Sequence, residues 1–163
     1  MFKNIIVIGN TGLCLECCKL LKKAHFKILV VVSEDPLLQT WTKQALVNCL
    51  TYQQFKQSTQ YQHYVLFSII NHHLIPQALL HKHQVQLAVN YHDSPLPRYA
   101  GVNSTTWAIL NHEKQHGVTW HKIDSGIDTG DILKKAVFDI SEDETAYSLN
   151  LKFCVPTLYT RGR

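Results

Sequence analysis

Four apolar runs, each closed by turn residues and separated by stretches of helical periodicity, constrain this chain more than any other feature. The first, Ile5 to Ile8, is β-branched and ends at Gly9-Asn10-Thr11-Gly12, after which Leu13 to Ala24 shows a helical pattern. The second, "KILVVVS" from Lys27 to Ser33, has no polar alternation, and Asp35-Pro36 ends it. A strand apolar on both faces must be covered on both faces, which is the condition of a parallel sheet carrying helices above and below. "YVLFSII" (Tyr64 to Ile70) and "VQLAVNY" (Val85 to Tyr91) repeat the pattern, with Pro76 suited to the first turn of a helix through His81. Strands alternating with helices predict an α/β chain with an open, mostly parallel sheet and helices on both faces.

The remainder is less regular. Residues 37 to 45 read as a helix and Val47 to Leu50 as a short strand, while the glutamine-rich segment from Gln53 to Gln62 has no clear period. Asn103 or Ser104 can cap a helix running to about Asn111, and "GVTWHKI" and "ILKKAVFDI" read as two further strands flanking a turn. Ser141-Glu142-Asp143-Glu144 has the form of a capping box, so a last helix is expected to begin there and to be stopped early by Pro156.

With 163 residues the expectation is a single domain, 1–163. Hydrophobic residues at 45% and charged residues at 17% describe an ordinary globular chain, and no apolar run approaches the ~20 residues of a membrane span. The opening residues lack a small-residue cleavage site and read as a strand rather than a leader. Cys14, Cys17 and Cys18 fall with Leu21 on one face of the first helix, the pattern of buried, reduced thiols, and a cytoplasmic setting is expected. A net charge of +4 is spread rather than clustered, so there is no strong nucleic-acid signal. His72, His73, His81 and His83 lie close together, but their intervals match no established ligand signature, and no metal is expected.

The polar end of the fourth run stands out. "AVNYHDSPLPRYAG" puts Asn90 and His92 on one face of a strand, with Tyr91 on the other. Pro95 and Pro97 then fix the backbone, and Gly101 permits a bend. Ligands of open parallel sheets bind at the carboxyl ends of strands, and this pair sits at such an end. The other reading is a core histidine bonded to an amide. A second polar cluster, "DSGIDTGD" from Asp124 to Asp131, joins the last two strands. It departs from a calcium loop after Gly130, and the better reading is an active-site loop.

Asn90-x-His92, then Ser94-Pro95-Leu96-Pro97-Arg98-Tyr99-x-Gly101, Gly117-Val118-Thr119 and Ile127-Asp128-Thr129-Gly130-Asp131-Ile132-Leu133, together resemble the formyltransferase family that uses 10-formyltetrahydrofolate. The likeness is strongest from about Phe67 to Asn150, and the wording is most similar to formyltransferase-like domains of hybrid peptide and polyketide synthases. The resemblance implies a Rossmann-like formyltransferase fold and transfer of a formyl group from 10-formyltetrahydrofolate to a primary amine through a tetrahedral intermediate. It places the catalytic residues at Asn90, His92 and Asp128. The chemistry accounts for those types: positioned donors stabilise the developing oxyanion, and a carboxylate accepts the proton lost by the amine.

The resemblance also implies a folate pocket lined by Phe67, Asn71, His72, His73 and Leu74, closed by Val89 and by Ser125, Gly126 and Ile127. Phe67 and Leu74 are equally readable as core. The turn Asn10 to Gly12 would face the acceptor, whose identity the sequence leaves open among a sugar nucleotide and an aminoacyl group on tRNA or on a carrier protein. Oligomeric state is likewise open. Asp93 stands where many relatives carry a small or apolar residue, and the chain is expected to be short at its C-terminal end. The rival readings are hydrolysis of formyltetrahydrofolate, a folate-binding domain without catalysis, and a dinucleotide-binding module, for which the full Gly-x-Gly-x-x-Gly pattern is missing.

Overall fold

The structure, a computed structural model, describes residues 4–153. It contains two compact units whose boundary falls inside one strand, between Asn90 and Tyr91. The first unit holds β1 (Asn4–Gly9), α1 (Thr11–Lys23), β2 (Lys27–Val32), α2 (Pro36–Ala45), β3 (Asn48–Leu50), α3 (Tyr52–Gln57), β4 (Val65–Ile69), α4 (Gln77–Lys82) and the larger part of β5 (Leu87–His92). Its strands are ordered β3-β2-β1-β4-β5. β1 pairs parallel with both β2 and β4, and β2 pairs parallel with β3.

The apolar runs account for this arrangement. Ile6, Val7, Val30, Val31 and Leu66 have no exposed surface, so the central strands are covered on both faces. Cutting any of these back to alanine removes buried methyl groups and is expected to cost roughly 2–5 kcal/mol for an isoleucine or leucine. Gly9 is required where β1 meets β4, because a Cβ there would lie 1.9 Å from the Ile69 carbonyl oxygen. Cys14, Cys17 and Cys18 are buried thiols on the inner face of α1, as their spacing implies.

Local chemistry sets the helix ends. Asp35 caps α2 by accepting from the Leu37 and Leu38 amides, with Pro36 at the first turn. α3 lies in the glutamine-rich segment where periodicity offered no helix. It exists because Thr51 and Gln54 close a reciprocal capping box and because Tyr52 and Phe55 are buried.

The second unit holds the end of β5, then α5 (Ser104–Leu110), β6 (Gln115–Lys122), β7 (Ile132–Asp139) and α6 (Ala146–Phe153), with strands ordered β5-β6-β7. β6 and β7 form an antiparallel pair. Two details differ from expectation. Asn103 precedes α5 in a left-handed conformation (φ 60°) and its side chain makes no capping bond, while the Ser104 hydroxyl donates to the Asp93 carbonyl instead. The last helix starts after Thr145 rather than at Ser141, since Thr145 and Ser148 exchange the capping bonds. The expected stop at Pro156 lies outside the described residues. Among the described residues, no helix is long and apolar enough to cross a membrane.

Candidate active site

Within the second unit, the end of β5, the end of β6 and the loop between β6 and β7 bring three side chains together. His92 closes β5 and is 7% exposed; Asp128 lies in the loop with φ 55°, its side chain 12% exposed. His92 Nδ1 is 3.5 Å from Asp128 Oδ2, and His121 Nε2 is 3.4 Å from Asp128 Oδ1. The Gly101 amide donates to Asp128 Oδ2 at 2.9 Å, tying the proline-rich loop to the acidic one. Each carboxylate oxygen therefore has an imidazole beside it.

The loop that presents Asp128 is built by its own residues. Asp124 Oδ1 accepts from the Gly126 amide at 3.0 Å and from the Thr129 hydroxyl at 2.7 Å, closing the turn that carries Ser125 to Ile127. Gly130 packs where a Cβ would lie 2.0 Å from the Lys122 carbonyl oxygen, so only glycine lets this loop return against β6.

The electrostatics follow from these contacts. Burial pushes the Asp128 carboxyl up, but the His121 contact, the Gly101 amide and the charge of both imidazoles outweigh it and hold the group below the ordinary carboxylate value. For His121 burial favours the neutral ring. The contact with Asp128 and donation of Nδ1–H to the Lys122 carbonyl, 2.8 Å away, reverse that and raise its value. Acceptors on both sides of one imidazole favour its charged form, because the ring then needs both N–H groups.

His92 is held by its other nitrogen, whose N–H donates to the Tyr99 carbonyl at 2.9 Å. Asp93 places Oδ1 3.9 Å from His92 Nδ1. Its carbonyl accepts from both His116 Nε2 (2.9 Å) and the Ser104 hydroxyl (2.7 Å), which fixes the backbone just beyond His92. His116 is pushed down, chiefly by burial, against the opposing effect of the Asp93 carbonyl and of the Asp93 and Glu113 charges.

Asn90 is half-buried on β5, two residues before His92. Val89 is buried and Phe67 half-buried in the first unit. There Asn71 is committed to its own loop: its Oδ1 accepts from the His73 amide at 3.0 Å and its Nδ2 donates to the His73 carbonyl at 2.8 Å. His73 stacks on Tyr52 at 4.2 Å and 4°, and the Tyr52 hydroxyl donates to the Leu74 carbonyl at 2.7 Å. His72 is exposed, as is the Leu74 side chain (78%). In the second unit Ser125, Gly126 and Ile127 are exposed, Ile127 by 63%. At the first turn, Asn10 accepts from the Ser33 hydroxyl at 3.0 Å and the Thr11 amide donates to Asp35 at 3.1 Å.

His121 is the residue that sequence reasoning missed. A signal was present, since it sits at the carboxyl end of a strand three residues before the acidic loop. Its aromatic and β-branched neighbours disguised it as an ordinary strand position.

The formyl transferase family model matches residues 3–155, and the chain belongs to that family. A methionyl-tRNA formyltransferase from Acetivibrio thermocellus is 50% identical over 64 residues, covering 39% of this chain and 21% of that protein. A GDP-perosamine N-formyltransferase from Brucella melitensis is 44% identical over 62 residues, covering 38% of this chain and 24% of that protein. The crystal structure of an N-formyltransferase from Helicobacter canadensis, in complex with folinic acid and dTDP-3-aminofucose, superposes with a TM-score of 0.80 at 26% identity. That match covers 98% of this chain and 61% of the other. The chain thus matches about a quarter or less of the length of these two curated relatives. The α/β fold with a mostly parallel sheet is the one expected from the apolar runs.

Proposed function

We propose that residues 1–163 form a single catalytic domain that moves a formyl group from 10-formyltetrahydrofolate to a primary amine in the cytoplasm. The observation that carries this reading is Asp128, half-buried at the strand ends with an imidazole against each oxygen. Family membership supports the reaction class, and the Helicobacter canadensis complex supports a reduced folate as donor.

The donor would supply an activated formyl carbon. A C–N bond forms to the amine as the bond to the folate nitrogen breaks, one proton leaves the amine and one is returned to the folate nitrogen. The Asn90 amide and a protonated His92 Nδ1 would donate to the formyl oxygen as negative charge builds there. Asp128, held ionised, would accept the amine proton directly or through water. His121 would keep the carboxylate oriented. Phe67, Val89 and the segment Asn71 to Leu74, with Ser125 to Ile127, would hold the folate. In the first unit the exposed apolar side chain of Leu74, next to the His73–Tyr52 stack, suits the flat aromatic ring of such a ligand. Asn10 to Gly12 would face the acceptor.

The test is to offer 10-formyltetrahydrofolate with a panel of amines (an amino-sugar nucleotide, methionyl-tRNA, a carrier-bound aminoacyl group) and to measure formylated amine against free formate. Formylation of one amine supports the proposal. Formate release alone would replace it with hydrolysis, and binding of NADH without folate would end it.

A further inference from the structure

The Tyr99 backbone is left-handed, with φ 57°, a conformation uncommon for a bulky residue unless its surroundings impose it. The surroundings are visible. The Tyr99 hydroxyl donates to Glu113 Oε1 at 2.7 Å and accepts from Asn111 Nδ2 at 3.0 Å. Arg98 pairs with the same Glu113 oxygen and lies 5.7 Å from the Tyr99 ring centre. On the near side, the Ser94 hydroxyl donates to the Arg98 carbonyl at 2.8 Å, while Thr119 bridges the Ser94 carbonyl (2.7 Å) and the Leu96 amide (3.1 Å). These contacts hold the segment from Ser94 to Tyr99 along its length, and at its end the Tyr99 carbonyl meets His92 Nε2 at 2.9 Å.

A carbonyl only accepts, so Nε2 must carry a hydrogen. Neutral His92 is then the Nε2–H form, and the proton it gains or gives sits on Nδ1, which faces Asp128 at 3.5 Å and Asp93 at 3.9 Å. With the Tyr99 carbonyl turned away, either nitrogen could hold the hydrogen, and Nδ1–H would gain from the adjacent carboxylates. We propose that Glu113 is a positioning residue: acting through Tyr99, it fixes the tautomer of His92 and so commits Nδ1 to proton transfer. The functional meaning rests on the formyl-transfer reading, whereas the tautomer itself does not.

The test uses the full chain labelled with 15N at histidine and reads the long-range imidazole coupling pattern at pH 8.5. The wild type is expected to show His92 solely as Nε2–H. Glu113→Gln removes the charge facing Arg98, and Asn111→Ala removes an exposed support of the tyrosine hydroxyl; in each a measurable share of Nδ1–H is expected. With a working donor and amine, kcat should fall roughly tenfold in Glu113→Gln with KM little changed, as for a displaced catalytic group. A clamp that merely stabilises the loop would lower the melting temperature and leave the coupling pattern alone. That pattern unchanged in both variants, or a mixed pattern in the wild type, overturns the proposal. A wild type that transfers no formyl group counts against the proposed function, while the coupling pattern alone decides the clamp.

Discussion

Two buried histidines in this molecule are shifted in opposite directions. His83, in the first unit, is fully buried, with Tyr64 Oη 2.8 Å from its Nδ1 and the Phe55 ring at 4.9 Å edge-on. Burial lowers its value, and the neighbouring Lys82 charge lowers it further, both favouring the neutral ring. His121, in the second unit, is 3% exposed, but Asp128 and a backbone carbonyl surround it and its value is raised. Burial pushes both imidazoles toward the neutral form, and at His121 the carboxylate and the carbonyl beside it reverse the outcome. A neutral buried ring packs like an aromatic, whereas a charged one paired with a carboxylate stores a proton at a strand end.

The sharpest separation between the two regions comes from truncation. Phe55→Ala should cost about 3–5 kcal/mol of unfolding free energy through the cavity it leaves, read by denaturant unfolding, while leaving the ratio of histidine signals at Asp128 unchanged. Asp128→Asn should act the other way. Formyl transfer should fall by at least roughly a hundredfold, worth about 2.7 kcal/mol of barrier, with folate binding retained in a direct titration. His92→Ala should cause a loss of similar size, and near-normal rates in either variant would contradict the assigned roles.

The pH dependence of stability sharpens the same contrast. His121, raised in the folded chain, contributes stability that is present below its unfolded value and lost as pH rises through its folded one. Asp128, lowered, contributes above its unfolded value and loses that contribution as pH falls through its folded one. His83 and His116, both lowered, cost stability as pH falls below the ordinary imidazole range of about 6.5. Melting curves from pH 8 to 5.5 should therefore fall more steeply with acid in Asp128→Asn, where His121 joins the buried neutral histidines, than in the wild type. The smallest effect is expected from Tyr64→Phe, about 1 kcal/mol for one buried hydrogen bond, with no change in transfer rate.

How much of this was readable beforehand differs between the two regions. The first unit was legible because its strands are continuous apolar runs and α1 carries its buried cysteines at helical spacing. α3 was not, since six residues resting on a cap and two aromatics leave no period to detect. At the end of β5 the pair Asn90 and His92 stands out by alternation, whereas Asp128 is legible only through family likeness. No local pattern says that a loop acid returns to a distant histidine. His121 stayed hidden for the same reason: its partner is supplied by chain folding rather than by neighbours in sequence. The start of α6 was misplaced because two segments, Ser141–Glu144 and Thr145–Ser148, both carry capping residues, and the hydroxyl pair prevailed.

The most direct test of the account is an NMR titration of the histidine side chains in the wild type and in Asp128→Asn. The account predicts that His121 titrates above the ordinary imidazole value in the wild type and drops below it in the variant, while His83 titrates low in both. A His121 that titrates low in the wild type, or one unmoved by loss of the Asp128 charge, would contradict it.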